Sequence, residues 1–203
     1  YAASYGDTIL INNSIIKRSP EEIKLKSVEL PNGKREQFGE MLPFNQEYKN
    51  ESSLLLDRSY PLTQPYWLDV EPNDIGLYEV SEQELIGLPK AEHPLSSTFT
   101  IEIDGLELEY KVPLEYKWRD RVNGEMRRFF ELRPEVMLIP EKNVYIARNG
   151  KCTIQLTVKS GAAHNLQVLV RPQIPKNWDI KPQLNNIKLE DIHDEVKIEF
   201  EII

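Results

Sequence analysis

The sequence predicts an all-β chain made of two tandem β-sandwich domains. Three observations carry that prediction. Apolar and polar residues alternate with a period of two through 99–118, the pattern of a strand with one covered face and one wet face. Short apolar runs separated by turn residues recur at roughly ten-residue spacing after position 133, as in a sandwich. No stretch carries a helical period with caps, so a parallel α/β fold, which needs crossover helices, is not expected.

Taken in order, 8–17 reads as a first strand, with Ile9, Leu10, Ile11, Ile15 and Ile16 supplying aliphatic bulk. Asn12-Asn13 in its middle suggests a bulge. Ile23, Leu25 and 28–30 form a second strand, closed by the turn Pro31-Asn32-Gly33. The stretch 34–50 is poorly patterned and reads as a strand and a loop. Residues 52–56 form another short strand. Pro61 and Pro65 fix φ and remove two backbone donors, so 59–68 is expected to be extended and irregular. Pro72-Asn73-Asp74-Ile75-Gly76 is a turn, and 90–94 is loop.

The 99–118 stretch is the surest local feature. Phe99, Ile101 and Ile103 alternate with polar residues before Asp104-Gly105. Leu106, Leu108, Tyr110, Val112, Leu114, Tyr116 and Trp118 alternate after it. Asp-Gly between two such runs fits a two-residue hairpin turn, whose central residues both need positive φ. Beyond a boundary near Arg133-Pro134, strands are expected at 136–139, 144–147, 152–159, 166–171, 178–182 and 196–202. The domains are therefore placed at 1–131 and 132–203. The chain opens at Tyr1 without an initiator Met, so the first domain is expected to be truncated at its N-terminus.

Composition narrows the chemistry. The 203 residues can bury a real core in one large or two smaller β domains. A net charge of −8 with no basic cluster argues against nucleic acid as a partner. No apolar run approaches the roughly 20 residues of a membrane helix, so no membrane span is expected. The single Cys152 cannot form an internal disulfide and reads as an inert thiol.

Catalytic constellations are not evident. His93, His164 and His193 have no partner at i,i+3 or i,i+4, so no zinc site is expected. No G-x-S-x-G nucleophile elbow and no Gly-rich phosphate loop occur. The many acids on outward positions read as solvated charge. No cofactor is expected, and the chain is not expected to be an enzyme by itself.

One series of motifs goes further. Tyr60-Pro61-Leu62-Thr63-Gln64-Pro65-Tyr66-Trp67-Leu68 is followed by Gly76-Leu77-Tyr78, 99–108 with Asp104-Gly105, and Tyr116-Lys117-Trp118. Val144-Tyr145-Ile146, 154–161 and Pro175-Lys176-Asn177-Trp178 follow in the same order. The series, spanning roughly 8–203, resembles the long form of the LmbE/PIG-L-like N-acetylglucosamine deacetylases of Bacteroidetes-type bacteria. The resemblance implies immunoglobulin-like sandwiches, the last similar to NPCBM-associated or α-galactosidase-associated domains, following a zinc-dependent catalytic domain. It also implies a periplasmic or extracellular setting. The family's metal motif, Pro-His-Pro-Asp-Asp, does not occur here. His93-Pro94 is followed by Leu95-Ser96, with no carboxylate pair. The resemblance therefore implies a non-catalytic accessory region whose partner is the catalytic domain of the same parent chain.

Tyr60, Tyr66, Trp67 and Trp118 are the candidate contact residues. Large aromatics fill sandwich cores or domain junctions, which is one role open to them. Contact with the catalytic domain is a second. Stacking on a sugar is a third, and it would make the chain a carbohydrate-binding module for a cell-surface or dietary glycan. Rings buried between sheets favour the first reading, and a flat exposed strip favours the last.

Overall fold

The structure is a computed structural model that describes residues 1–90 and 92–203. It is an all-β sandwich architecture of several antiparallel sheets, with no α-helix among the described residues. In chain order the strands are β1 (Ala2–Ser4), β2 (Thr8–Ile16), β3 (Ile23–Glu29), β4 (Arg35–Met41), β5 (Glu47–Leu55), β6 (Ser96–Ile103), β7 (Leu106–Pro113) and β8 (Glu115–Asp120). They continue as β9 (Gly124–Phe129), β10 (Glu131–Arg133), β11 (Val136–Pro140), β12 (Cys152–Ser160), β13 (Leu166–Val170), β14 (Ile180–Lys181), β15 (Asn185–Leu189) and β16 (Glu195–Ile202). Two compact units are present. Tyr1–Ala2 with Thr8–Leu132 form the first, and Ala3–Asp7 with Arg133–Ile203 form the second.

In the first unit a sheet of order β4-β3-β6-β7 lies against the two-stranded sheet β2-β5. Strand alternation decides which residues meet. Leu25 and Val28 of β3 and Phe99 and Ile101 of β6 form the core with Leu42. Ile15 of β2 and Tyr48 of β5 pack onto them from the facing sheet. Each fully buried side chain of this size contributes about 1.5–3 kcal/mol of hydrophobic stabilisation.

The hairpin forms as its alternation predicts. β6 and β7 pair from Ser96↔Pro113 to Ile103↔Leu106, and Asp104 and Gly105 turn with φ of 51° and 81°. Two details differ from the sequence reading. The second arm does not run on to Trp118. It breaks at Leu114, whose N–H donates to Leu95 O and whose carbonyl accepts from Phe130 N–H, so β8 starts a separate hairpin with β9. The apolar side of β7 is also not covered, since Leu106, Leu108, Tyr110 and Val112 are all exposed. Periodicity identified the strand but could not say whether anything sits on it.

The bulge expected at Asn12-Asn13 is absent. β2 and β5 stay in register from Thr8↔Leu55 to Ile16↔Glu47. The irregularity lies in β3, between Leu25 and Ser27. The poorly patterned 34–50 stretch holds β4 and the start of β5. The loop expected at 90–94 includes Ala91, which lies outside the described residues.

The second unit pairs a sheet of order β11-β12-β16-β14 with the hairpin-like pair β13-β15. Val158, Ile198 and Phe200 from the first meet Val170, Ile187 and Leu189 from the second. Residues 144–147, expected as a strand, are not one. Tyr145 replaces the ladder with its side chain: its hydroxyl accepts from Lys142 N–H at 3.1 Å and donates to Gln155 O at 3.0 Å. Val144 and Ile146 are left exposed. β15 is not among the strands expected from sequence, although Ile187 and Leu189 alternate cleanly with Asn186 and Lys188.

Ala3–Asp7 forms a strap on this second unit. The Asp7 carboxylate accepts from Ser4 N–H at 2.9 Å and Ala163 N–H at 3.2 Å. Ser4 is fully buried and donates to Pro134 O at 3.2 Å. Gly161 sits beneath it, where a Cβ would lie 2.2 Å from Pro134 O.

Candidate functional site

The exposed side of β7 opens into a groove of about 1340 Å³ in the first unit. Its walls are strand edges. Every residue from 9 to 18 lines it, odd and even alike, which is how an edge rather than a single face is presented. Among the described residues β2 pairs only with β5, so its other edge is open. Every residue from 113 to 119 lines the groove as well, and among the described residues β8 pairs only with β9. Phe99 and Ile101 of β6 and Tyr110 and Val112 of β7 form an apolar floor.

Two polar groups break that floor. Asn13 is 6% exposed and Ser97 is 2% exposed, and both line the groove. Asn13 Nδ2 and Ser97 Oγ have no hydrogen-bond partner among the described residues. A buried polar atom without a partner costs about 1–3 kcal/mol, so two in one groove need a reason. Sequence parity carries a signal for both. Asn13 stands in the Ile9, Ile11, Ile15 series, and Ser97 precedes Phe99 and Ile101. From sequence alone the Asn pair reads as a bulge, and Ser97 is not among the candidate residues.

The charged lining is basic in an acidic protein. Lys17, Arg18, Lys117, Arg119 and Arg127 face Glu115 and Glu125, five cations against two carboxylates, a net of +3 on a chain of −8. Some of this charge is internally matched. Lys117 lies 2.6 Å and Arg127 2.8 Å from Glu125, and together they hold its carboxyl below the usual carboxylate range. Arg18 and Arg119 have no carboxylate partner among the described residues.

The four aromatic candidates do not converge. Tyr60 is 8% exposed, and burial pushes its hydroxyl pKa up. Tyr66 is half-buried, donates to Leu88 O at 3.2 Å, and meets Trp67 edge-on at 5.0 Å. Trp67 is 43% exposed. Trp118, 37% exposed, stacks on Tyr116 at 5.8 Å and lines the groove; Tyr60, Tyr66 and Trp67 do not.

The Tyr-Pro-x-Thr-Gln-Pro-Tyr-Trp-Leu run has a structural explanation. Thr63 N–H donates to Leu132 O at 2.9 Å, and Thr63 Oγ1 accepts from Leu132 N–H at 3.0 Å. Gln64 donates to Asp69 at 2.8 Å, and Pro65 opens a single 3-10 turn at Tyr66–Leu68. The run is a clip that ties the 57–90 stretch, which has no strand, to the sheet.

The histidines are engaged separately. His93 Nδ1 bonds within its own turn, 2.9 Å from Leu95 O. His164 faces Asp7 at 3.3 Å and Glu135 at 3.9 Å in the second unit. His193 occupies a tight turn with φ of 73°. Among the described residues no group of three or more His, Cys, Asp or Glu side chains could hold a metal ion.

No protein-family model matches this chain, and no curated protein does. Among the described residues no helix is long and apolar enough to cross a membrane.

Proposed function

We propose that this chain is a non-catalytic interaction region of a multidomain LmbE/PIG-L-like deacetylase, supporting or positioning that protein's zinc-dependent catalytic domain outside the cytoplasm. The observation that carries the interaction reading is the groove of the first unit. Among the described residues it has two open strand edges, an apolar floor and two buried polar atoms without partners. Such a surface costs stability in isolation and gains from being covered. The motif series through Tyr60–Trp178, immunoglobulin-like in its strand spacing, supports the deacetylase context.

The test has two arms. The parent reading frame is examined for Pro-His-Pro-Asp-Asp upstream of Tyr1, and the encoded catalytic domain is titrated with this chain. Binding, with a rise in the catalytic domain's thermal midpoint, is the expected result. A parent lacking the motif overturns the deacetylase context. A present catalytic domain that ignores this chain overturns the supporting role.

Exposed Trp67 and Trp118 favour a second reading, a carbohydrate-binding module. Calorimetry on a glycan array tests it. Sugar binding lost in Trp118→Ala or Trp67→Ala would replace the first reading, and silence across peptidoglycan and dietary glycans would remove the second.

A further inference from the structure

We infer that the groove is a docking site for one extended peptide strand whose side chains alternate between apolar and acidic. The strand belongs to a partner protein, so this inference rests on the interaction reading and names its chemistry.

The argument starts with backbone groups. β2 and β8 each have one neighbour in their two-stranded sheets, and each turns its open edge to the same groove. An unpaired edge is a row of N–H and C=O groups that a further strand can satisfy. In an extended strand, successive residues direct their N–H and C=O to opposite sides, so one inserted segment bonds both edges at once. It would join β5-β2 to β8-β9 in a single five-stranded layer facing β4-β3-β6-β7. Residues 9–18 and 113–119 set the usable length at about seven residues, roughly 23 Å at the strand rise.

Side-chain chemistry fixes the occupant's composition. On the inner side, Phe99, Ile101, Tyr110 and Val112 require apolar residues at alternate positions. Asn13 Nδ2 and Ser97 Oγ offer donors to carbonyls of the same segment. On the outer side, Arg18 and Arg119 are exposed without carboxylate partners among the described residues and complement acidic residues at the intervening positions. A polysaccharide would leave the aliphatic floor and the open backbone edges unmatched, so the observations favour a peptide strand.

The probe is a capped octapeptide alternating Glu with Ile or Val, used below its own assembly concentration. Three controls accompany it: Lys in place of Glu, N-methyl groups on alternate amides, and a soluble polygalacturonate. Affinity is read by calorimetry, and the bonded edges by backbone amide exchange. The Glu peptide is expected to bind and slow exchange in β2 and β8 about tenfold or more. The Lys peptide is expected to bind about tenfold more weakly, and the N-methyl peptide not to bind. The double variant Arg18→Glu with Arg119→Glu, checked for an unchanged unfolding midpoint, is expected to reverse the charge preference.

No binding of the Glu peptide overturns the inference, as does equal binding of all three peptides. Binding without protection of β2 and β8, or binding of polygalacturonate alone, also overturns it. The interaction reading survives those results if the catalytic domain still binds. It falls if the catalytic domain fails to bind, whatever the peptide does.

Discussion

Replacing Asn13 by Val tests whether the groove is held in an unsatisfied state. Asn13 lies on the inner face of β2 between Ile11 and Ile15, almost wholly buried, with its Nδ2 unpartnered. Removing an unpaired buried donor recovers about 1–3 kcal/mol. Val also suits a pleated surface better than Asn, by a fraction of about 1 kcal/mol. Some loss arises because the new side chain fits imperfectly. The expected net effect is stabilisation of the first unit by about 1–2 kcal/mol. In urea this moves the midpoint up by about 0.5–1 M for an ordinary slope. Trp67 and Trp118 report on this unit and Trp178 on the other, so a Trp178→Phe background isolates the signal. The same variant is expected to bind the acidic-apolar peptide about two- to tenfold more weakly, the value of one hydrogen bond. Destabilisation by about 1 kcal/mol or more would refute the reasoning, because it would mean the amide is already well bonded.

Three further outcomes are expected. Phe200→Ala removes the largest fully buried side chain of the second unit and is expected to cost about 3–5 kcal/mol, seen as loss of amide protection in β12 and β16 with the first unit unaffected. Gly161→Ala places a methyl against Pro134 O and is expected to destabilise the second unit by about 3 kcal/mol, whereas Gly33→Ala, with open space around it, is expected to show only its backbone cost of about 1 kcal/mol. The Glu36 carboxyl is held below its usual range, first by the Asn50 amide at 2.5 Å and then by Lys34. Its stabilising contribution is therefore complete above the ordinary carboxylate range and is lost as pH falls through the depressed folded value. Glu36→Gln is expected to flatten the acid limb of stability against pH, and an unchanged acid limb would exclude that linkage.

Much of the fold was legible because alternation is a local property. Ile154, Leu156 and Val158, and Val196, Ile198 and Phe200, declare two strands that pair with each other in the structure. Asp104-Gly105 declares its turn for the same reason. Features that depend on distant partners were hidden. Residues 144–147 carry strand-forming side chains, yet Tyr145 reaches Gln155 and no ladder forms. Ala3–Asp7 looks featureless, and its fixing points lie 130 to 156 positions away. The groove was half visible. Asn13 and Ser97 break an aliphatic parity that can be read directly. That β2 and β8 leave their edges open toward each other is a matter of assembly, which no period encodes. The aromatic candidates stand out in the sequence by size, and of the four only Trp118 lines the groove.

The strap gives the second unit an unusual timetable. Asp7 leaves the ribosome long before Ala163, the backbone group it will hold. At about 5–20 residues per second the wait is roughly ten to thirty seconds. Throughout that interval the strap is already made while the backbone it will rest on is not, and a nascent chain stalled before residue 163 would carry Ala3–Asp7 with nowhere to settle.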